Sequence, residues 1–273
     1  DLRAAIQSIR SSGKKVALVP TMGALHVGHL SLVELAREKA DSVIVSIFVN
    51  PTQFGANEDF SKYPRTEEDD LAKLEKLNLD IVYLPSIAEM YDENAKTFVR
   101  VKDISEELCG FYRPGHFDGV ATIVTKLFMQ ALPDFAIFGE KDYQQLHIIR
   151  QFTKDLDIPV EIISAPIMRE PDGLAMSSRN RYLNAEERII AASLYRTLCE
   201  TAEKIMQGQD IEEILNEAKA NLIKLGFNKI DYIELRDAKT LAPAQDTEKS
   251  TILLAAVHLG KTRLIDNITV TIE

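Results

Sequence analysis

The chain has 273 residues, 45% hydrophobic and 27% charged, which is apolar material enough for one large core or two modest ones and excludes a wholly disordered chain. Its 32 basic residues against 42 acidic ones give a net charge of −10, a field that repels nucleic acid and anionic membrane but still permits a small phosphate ligand held by local donors. No apolar run approaches the roughly 18 residues of a membrane span, and DLRAAIQSIR lacks the apolar centre of a signal peptide, so the sequence reads as soluble and cytoplasmic. The start at Asp1 without methionine leaves room for a short preceding segment. Cys109 and Cys199 lie far apart with no partner motif and read as reduced thiols.

In chain order, Lys14 and Lys15 lead into VALVP, a short buried strand, and LSLVELAREKA from Leu30 has helical spacing. SVIVSIFVN, Ser42 to Asn50, is β-branched and nearly continuous, as a parallel strand covered on both faces should be. The polar stretch PTQFGANEDFSKYPR is long enough to be a functional flap. An acid-started helix (TEEDDLAKLEKLN), a strand (DIVYLPS), a helix around VATIVTKLFMQAL, a strand (FAIFG), a helix (QQLHIIRQFTKDL) and a strand (VEIISAP) follow. Strands alternating with helices predict βαβ units and a Rossmann-like, doubly wound parallel sheet over residues 1–165. From Pro166 the pattern changes to two long amphipathic segments, NAEERIIAASLYRTLCETAEKIMQ and DIEEILNEAKANLIKLGF, and then three strands. Residues 166–273 are therefore expected to form a smaller C-terminal α+β domain that serves as a lid.

Four segments combine residues that can carry chemistry. PTMGALHVGH, Pro20 to His29, joins the first strand to its helix, the usual phosphate seat of such a sheet. His26 and His29 can share one face there, and a helix N-terminus favours neutral imidazoles that donate to phosphate oxygens; alternatively one caps the helix and the other is core. FGEKDYQQ sets Glu140, Lys141 and Asp142 at a strand end, where Lys141 suits a phosphate and Asp142 a ribose hydroxyl or a metal, unless they are a plain Lys–Asp surface pair. GLAMSSRN offers Ser177, Ser178 and Arg179 at the domain boundary, either a phosphate clamp or only a loop. Asn50, Thr52 and Gln53 at the second strand end can read hydroxyls or an amine, Tyr63 belongs to the flap, and RPGHFDGV is a turn or a substrate loop. Gly260-Lys261-Thr262 lacks the first glycine of a Walker loop because Ala255 stands there, Asn267-Ile268-Thr269 is a glycosylation triplet without a secretory signal, and His147 and His258 read as structural.

His26-Val27-Gly28-His29 after a first strand, with Met176-Ser177-Ser178-Arg179 later, resembles the paired signatures of the HxGH nucleotidyltransferase superfamily. The longer strings PTMGALHVGHLSLV, VSIFVNPTQFG, YPRT, RPGHFDGV, FGEKDYQQL and DGLAMSSRNRYL, in one order along the whole chain, resemble the pantoate–β-alanine ligases. The resemblance implies ATP-dependent condensation of (R)-pantoate with β-alanine through a pantoyl adenylate, releasing pyrophosphate and then AMP. It implies that Met22, Gly23, Ala24, Leu25, His26, Val27, Gly28 and His29 line ATP, with both histidines on its phosphates and His29 the proton donor. Gly139, Glu140 and Asp142 then lie along the nucleotide, Gly139 and Asp142 at its ribose, with Lys141 at the α-phosphate. Ser177, Ser178 and Arg179 take the outer phosphates, while Met168, with Met176 beyond it, lies by the adenine. Gln53 and Gln145 are the implied pantoate contacts, Gln53 also meeting β-alanine, with Asn50 and Tyr63 as further candidates. Mg²⁺ is the implied ATP counter-ion, with Asp69 as its candidate ligand, and a homodimer is the implied assembly. A tRNA-charging enzyme would instead want a basic anticodon-binding extension, a nucleotidyltransferase would keep AMP in its product, and a non-catalytic adenylate-binding regulator would not need both histidines, Lys141 and Arg179.

Overall fold

β1 (Val16–Thr21) is the centre around which the N-terminal half is built. Its first four residues are buried, and it pairs in parallel with β2 (Ser42–Ile47) on one side and β4 (Phe135–Gly139) on the other. In this computed structural model, which describes residues 2–56, 58–246 and 250–271, the chain separates into two units, Asp1–Pro166 and Ile167–Glu273.

The first unit is a parallel sheet of order β3-β2-β1-β4-β5, completed by β3 (Ile81–Tyr83) and β5 (Glu161–Ala165). The order reverses between β1 and β4, which makes a crevice at their carboxyl ends, the usual ligand position in an open α/β sheet. α2 (Val27–Lys39) and α3 (Glu67–Glu75) pack Leu32, Val33, Ala36 and Leu74 against Ala17, Val19, Val43, Val45 and Ile137 of the sheet. α1 (Leu2–Ser11) lies outside the elements expected, although Leu2, Ile6 and Ile9 stand at helical spacing; of these only Ile6 is fully buried. α4 (Ile87–Met90) and α5 (Cys109–Tyr112) are single turns. α6 (His116–Ala131) and α7 (Tyr143–Asp155) supply Phe128 and Phe152, whose rings lie 6.2 Å apart.

β2 is shorter than the apolar run expected to end at Asn50. The Asn50 side chain accepts the Thr52 amide and, with Pro51 at its first position, turns the chain into a 3-10 turn, Pro51–Gln53. Pro51 also cannot donate to a continuing ladder.

In the second unit α8 (Ala185–Ala191), α9 (Ser193–Met206) and α10 (Ile211–Leu225) accompany an antiparallel sheet of β6 (Lys229–Asp237), β7 (Thr251–Leu259) and β8 (Thr262–Val270). Leu194, Leu198, Ile205, Ile214, Leu222, Ile233, Leu253, Val257 and Leu264 form one core. The single helix expected from Asn184 onward is broken at Ala192, where the Ser193 hydroxyl donates to the Ile190 carbonyl at 2.6 Å. Gly260-Lys261 is the β7–β8 hairpin turn, with Gly260 at φ +55°, and Asn267 is buried within β8. The described residues contain no helix long and apolar enough to cross a membrane.

Gly119 is where α6 meets the 3-10 turn, since a Cβ there would stand 2.4 Å from the Thr52 carbonyl oxygen and 2.7 Å from the Gln53 nitrogen. Both atoms are backbone and cannot step aside alone. Gly119→Ala is expected to lower unfolding stability by about 1–3 kcal/mol, read as a shift in urea midpoint at constant slope; an unchanged midpoint would show that α6 is free to move away.

Candidate active site

The first strand-to-helix turn is bent tightly. Gly23 has φ +79° and Ala24 φ +50°, so two consecutive residues lie in the left-handed region, which costs an alanine energy that something must offset. The offset is Asp70, in the first turn of α3 and 0% exposed. One carboxylate oxygen accepts the Ala24 amide and the other the Leu25 amide, each at 2.7 Å, and the Thr66 hydroxyl lies 3.2 Å from the carboxylate. One helical turn on, the Lys73 ammonium donates to the Leu25 carbonyl at 2.9 Å and lies 3.8 Å from Asp70. Ala24 and Leu25 are buried and their amides are spent on Asp70, so they shape the turn and offer no N–H to a ligand.

This turn delivers both histidines to the start of α2. His26 is the N-cap and His29 the third helical residue, with ring centroids 4.0 Å apart. The helix thus starts earlier than the Leu30 expected from apolar spacing, because its first turn is capped by His26 and His29 themselves. The His29 Nδ1 accepts the His26 amide at 3.3 Å, so the proton of a neutral ring sits on Nε2. Burial, then the positive charges of Lys141 and Lys73, lower its pKa from 6.5 to about 4. At neutral pH His29 is therefore an uncharged Nε2–H donor. Val27 is 55% exposed at the mouth of the turn, and Gly28 follows it in the first turn of the helix.

At the end of β4, across the order reversal, Gly139 opens a 3-10 turn of Glu140, Lys141 and Asp142. A Cβ at Gly139 would meet open space, so packing does not require glycine there. Lys141 lies 3.5 Å from Asp142, and Glu140 accepts the Ser164 hydroxyl at 2.8 Å. Gln145 is half-buried on α7, whereas its neighbour Gln144 is consumed by the loop before α5, donating to Ile104 and Glu107 carbonyls and accepting the Cys109 amide.

At the end of β2 Asn50 and Gln53 are both buried, and the Gln53 Nε2 donates to the Met22 Sδ at 3.0 Å, which ties this corner to the histidine turn. RPGHFDGV holds Gln53 through its backbone. The His116 ring and the Arg113 guanidinium bond the Gln53 carbonyl at 2.7 and 3.3 Å, and Arg113 also makes a bidentate pair with Glu58 of the flap at 2.7 and 2.5 Å. Tyr63 is buried against Phe54, which also stacks near Phe60, so the flap has an aromatic core of its own; Asn57 within it lies outside the described residues. Asp69 points outward on α3, exposed, and the described residues contain no group of three or more His, Cys, Asp or Glu arranged for a metal.

The remaining candidates lie in the second unit. The Met176 amide donates to the Met168 carbonyl at 2.9 Å, and Arg169 pairs with Ala175, making a hairpin whose turn has Gly173 at φ +92°. Arg169 anchors it through two bonds to the buried Asp266, at 2.7 and 3.0 Å, while stacking over Tyr195. Ser177 accepts the Arg179 amide and caps the short 3-10 turn that follows, with Ser178 buried and Arg179 half-buried. His258 faces Asp231 beside Lys229 and Arg263, and His147 bonds the Tyr143 carbonyl, so both have structural partners. Asp70 and Lys73 are not among the residues the sequence singles out, while Arg113 and His116 lie in RPGHFDGV, read there as a turn or a substrate loop. For Asp70 the signal is the acidic first turn of α3, which does not say which carboxylate turns inward.

Two outcomes follow from this geometry. Titrated by ring ¹⁵N shifts, His29 should show the neutral Nε2–H form at pH 6 and a midpoint of about 4, rising in Lys141→Met but staying below 6.5 because burial is the largest cause. Since the unfolded ring protonates first, His29 costs stability as pH falls from 6.5 toward 4 and costs none above; a midpoint near 6.5 would contradict the neutral donor. Asp70→Asn replaces one acceptor oxygen with an amide that opposes a backbone N–H, and should destabilise the protein by about 1.5–3 kcal/mol. Unchanged urea midpoints would remove Asp70 as the brace.

The family model described as pantoate-beta-alanine ligase matches residues 1–269. The pantothenate synthetase of Paramagnetospirillum magneticum is 55% identical over 98% of this chain and 94% of its own length, and that of Rhodospirillum rubrum 52% over 98% and 95%. Among solved structures, the pantothenate synthetase of Thermus thermophilus superposes with a TM-score of 0.92 at 42% identity, covering 97% of this chain and 98% of that one. The Francisella tularensis pantoate-beta-alanine ligase, solved with β,γ-ATP and β-alanine, does so with a TM-score of 0.82 at 35% identity over 98% and 95%. With its histidine turn and Lys141 at the carboxyl ends of neighbouring strands, this chain is an enzyme that belongs to the pantoate–β-alanine ligase family.

Proposed function

We propose that the chain activates (R)-pantoate with ATP to a pantoyl adenylate and then transfers the pantoyl group to β-alanine. The observation that carries this reading is the neutral His29 donor beside Lys141 at the β1–β4 crevice. In the first step a pantoate carboxylate oxygen attacks the α-phosphorus and the bond to pyrophosphate breaks. Negative charge then grows on the bridging and outer oxygens, where a preorganised N–H and an ammonium are most effective. In the second step the β-alanine amine attacks the acyl carbon and AMP leaves.

In this assignment Met22 through His29 line ATP, Ala24 and Leu25 only by shaping the turn, with His26 and His29 at the phosphates and Lys141 at the α-phosphate. Gly139, Glu140 and Asp142 lie along the ribose side. Met168 and Met176 serve the adenine, and Ser177, Ser178 and Arg179 supply donors for the outer phosphates. Gln53 and Gln145 read the pantoate oxygens, with Gln53 also at β-alanine; Asn50 and Tyr63 support that corner. Mg²⁺ would come with ATP and neutralise its phosphates, needing at most one or two carboxylates, for which the exposed Asp69 is the candidate. We also propose a cytoplasmic homodimer with ATP- and pantoate-binding residues 1–165 and a lid of residues 166–273, on the strength of the family pattern. The net charge of −10 argues against a nucleic-acid partner.

Pyrophosphate–ATP exchange should require pantoate but not β-alanine, and AMP should accumulate only when β-alanine is added. Exchange driven by an amino acid, or none at all with pantoate, would remove the adenylate route. His29→Ala should slow adenylation by on the order of 10²–10³ while converting preformed pantoyl adenylate at close to the normal rate, measured by rapid quench on one preparation. Equal loss in both steps would mean that His29 serves the shared AMP moiety or the fold.

A further inference from the structure

The amide of Gln53 has two chemically opposite ends, and which end faces the crevice decides what it can bind. Its direction follows from backbone groups whose polarity cannot change. The Asn50 side chain lies between the Thr52 amide, which can only donate, and the Gly119 carbonyl, which can only accept. Asn50 must therefore turn its Oδ1 to Thr52 and its Nδ2 to Gly119, at 3.3 and 3.1 Å. The same Oδ1 accepts the Tyr91 hydroxyl at 2.8 Å and the Thr52 hydroxyl at 3.0 Å. The other Nδ2 proton goes to the Gln53 Oε1 at 3.1 Å. With Oε1 held this way, Gln53 turns its NH₂ toward Met22 and the histidine turn, where one proton meets the Met22 sulfur at 3.0 Å.

We propose that Tyr91 is a positioning residue of the substrate site. Through Asn50 it holds the Gln53 amide so that Gln53 meets its substrate only as a hydrogen-bond donor. The inference rests on Gln53 being a substrate contact. It has a chemical consequence: the substrate atom at Gln53 is an acceptor, a carboxylate or hydroxyl oxygen, and never the attacking amine. Tyr91 suits the task because its hydroxyl is held by Asn50 and Thr52 while its ring lies 6.3 Å from Phe48 and under Lys126. Burial raises its pKa, so the hydroxyl keeps its proton at neutral pH. Asn50 has no N–H left to offer a ligand, since both are taken, so its contribution to the site passes through Gln53.

The test is a set of double-mutant cycles on the full chain, reading KM for pantoate, β-alanine and ATP. Gln53→Ala should raise the pantoate or β-alanine KM on the order of 10–100-fold with the ATP KM unchanged. If neither acid's KM moves, the assignment of Gln53 as a substrate contact fails. Asn50→Asp turns both Nδ2 donors into acceptors and should reverse the Gln53 amide, matching the Gln53→Ala loss and adding nothing to it in the double variant. Tyr91→Phe deletes one hydroxyl and should raise the same KM about 3–10-fold, an effect that disappears in the Gln53→Ala background. A merely structural role would add fully in both backgrounds. A silent Tyr91→Phe, or an effect that persists undiminished without Gln53, would overturn the positioning role even if Asn50→Asp failed to fold.

Discussion

A buried carboxylate under a backbone turn is the constraint on which this site depends. Asp70 spends both oxygens on the amides of Ala24 and Leu25, and in doing so holds the chain in a left-handed bend that alanine does not favour. The bend aims the start of α2, and His26 and His29 are that start. Hydrogen bonds to a charged acceptor are among the stronger ones a protein makes, and complete burial keeps water from competing for them. The histidine turn is therefore specified from α3, 45 and 46 residues along the chain, as much as by its own glycines.

The same economy explains the electrostatics around His29. Lys73 stabilises the turn through the Leu25 carbonyl and Lys141 stands at the end of β4; together with burial they deny His29 a proton. An imidazolium there would add a third positive charge and lose its acceptor nitrogen. The neutral ring keeps Nδ1 as acceptor for its own helix cap and frees Nε2–H to donate. The helix cap thus uses one nitrogen of the ring and leaves the other as a donor.

At the neighbouring strand end polarity is transmitted without any formal charge. Asn50 and Gln53 occupy a dry corner in which every donor must meet an acceptor. Gly119 lets α6 bring its carbonyl there, and Arg113 and His116 hold the Gln53 backbone. Such networks are costly to leave half satisfied, which is why so many of these residues bond to one another.

The sequence by itself determined the α/β class of the first unit, the strands and helices with strong apolar periodicity, the change to α+β character near Pro166, and the strings that mark the ligase family. These are local properties: alternation, helical spacing and motif order are written along the chain. α1 was legible in the helical spacing of Leu2, Ile6 and Ile9, whereas the early end of β2 was not, being set by a side-chain cap on Thr52. Nor could the sequence tell Asp69 from Asp70 in one acidic run, although one is exposed and the other wholly buried beneath the histidine turn. Gln144 and Gln145 are likewise adjacent and chemically identical, yet the fold commits only the first to the loop before α5. Only the tertiary structure decided these, because which neighbour turns inward depends on helix phase and on backbone groups brought in from distant elements.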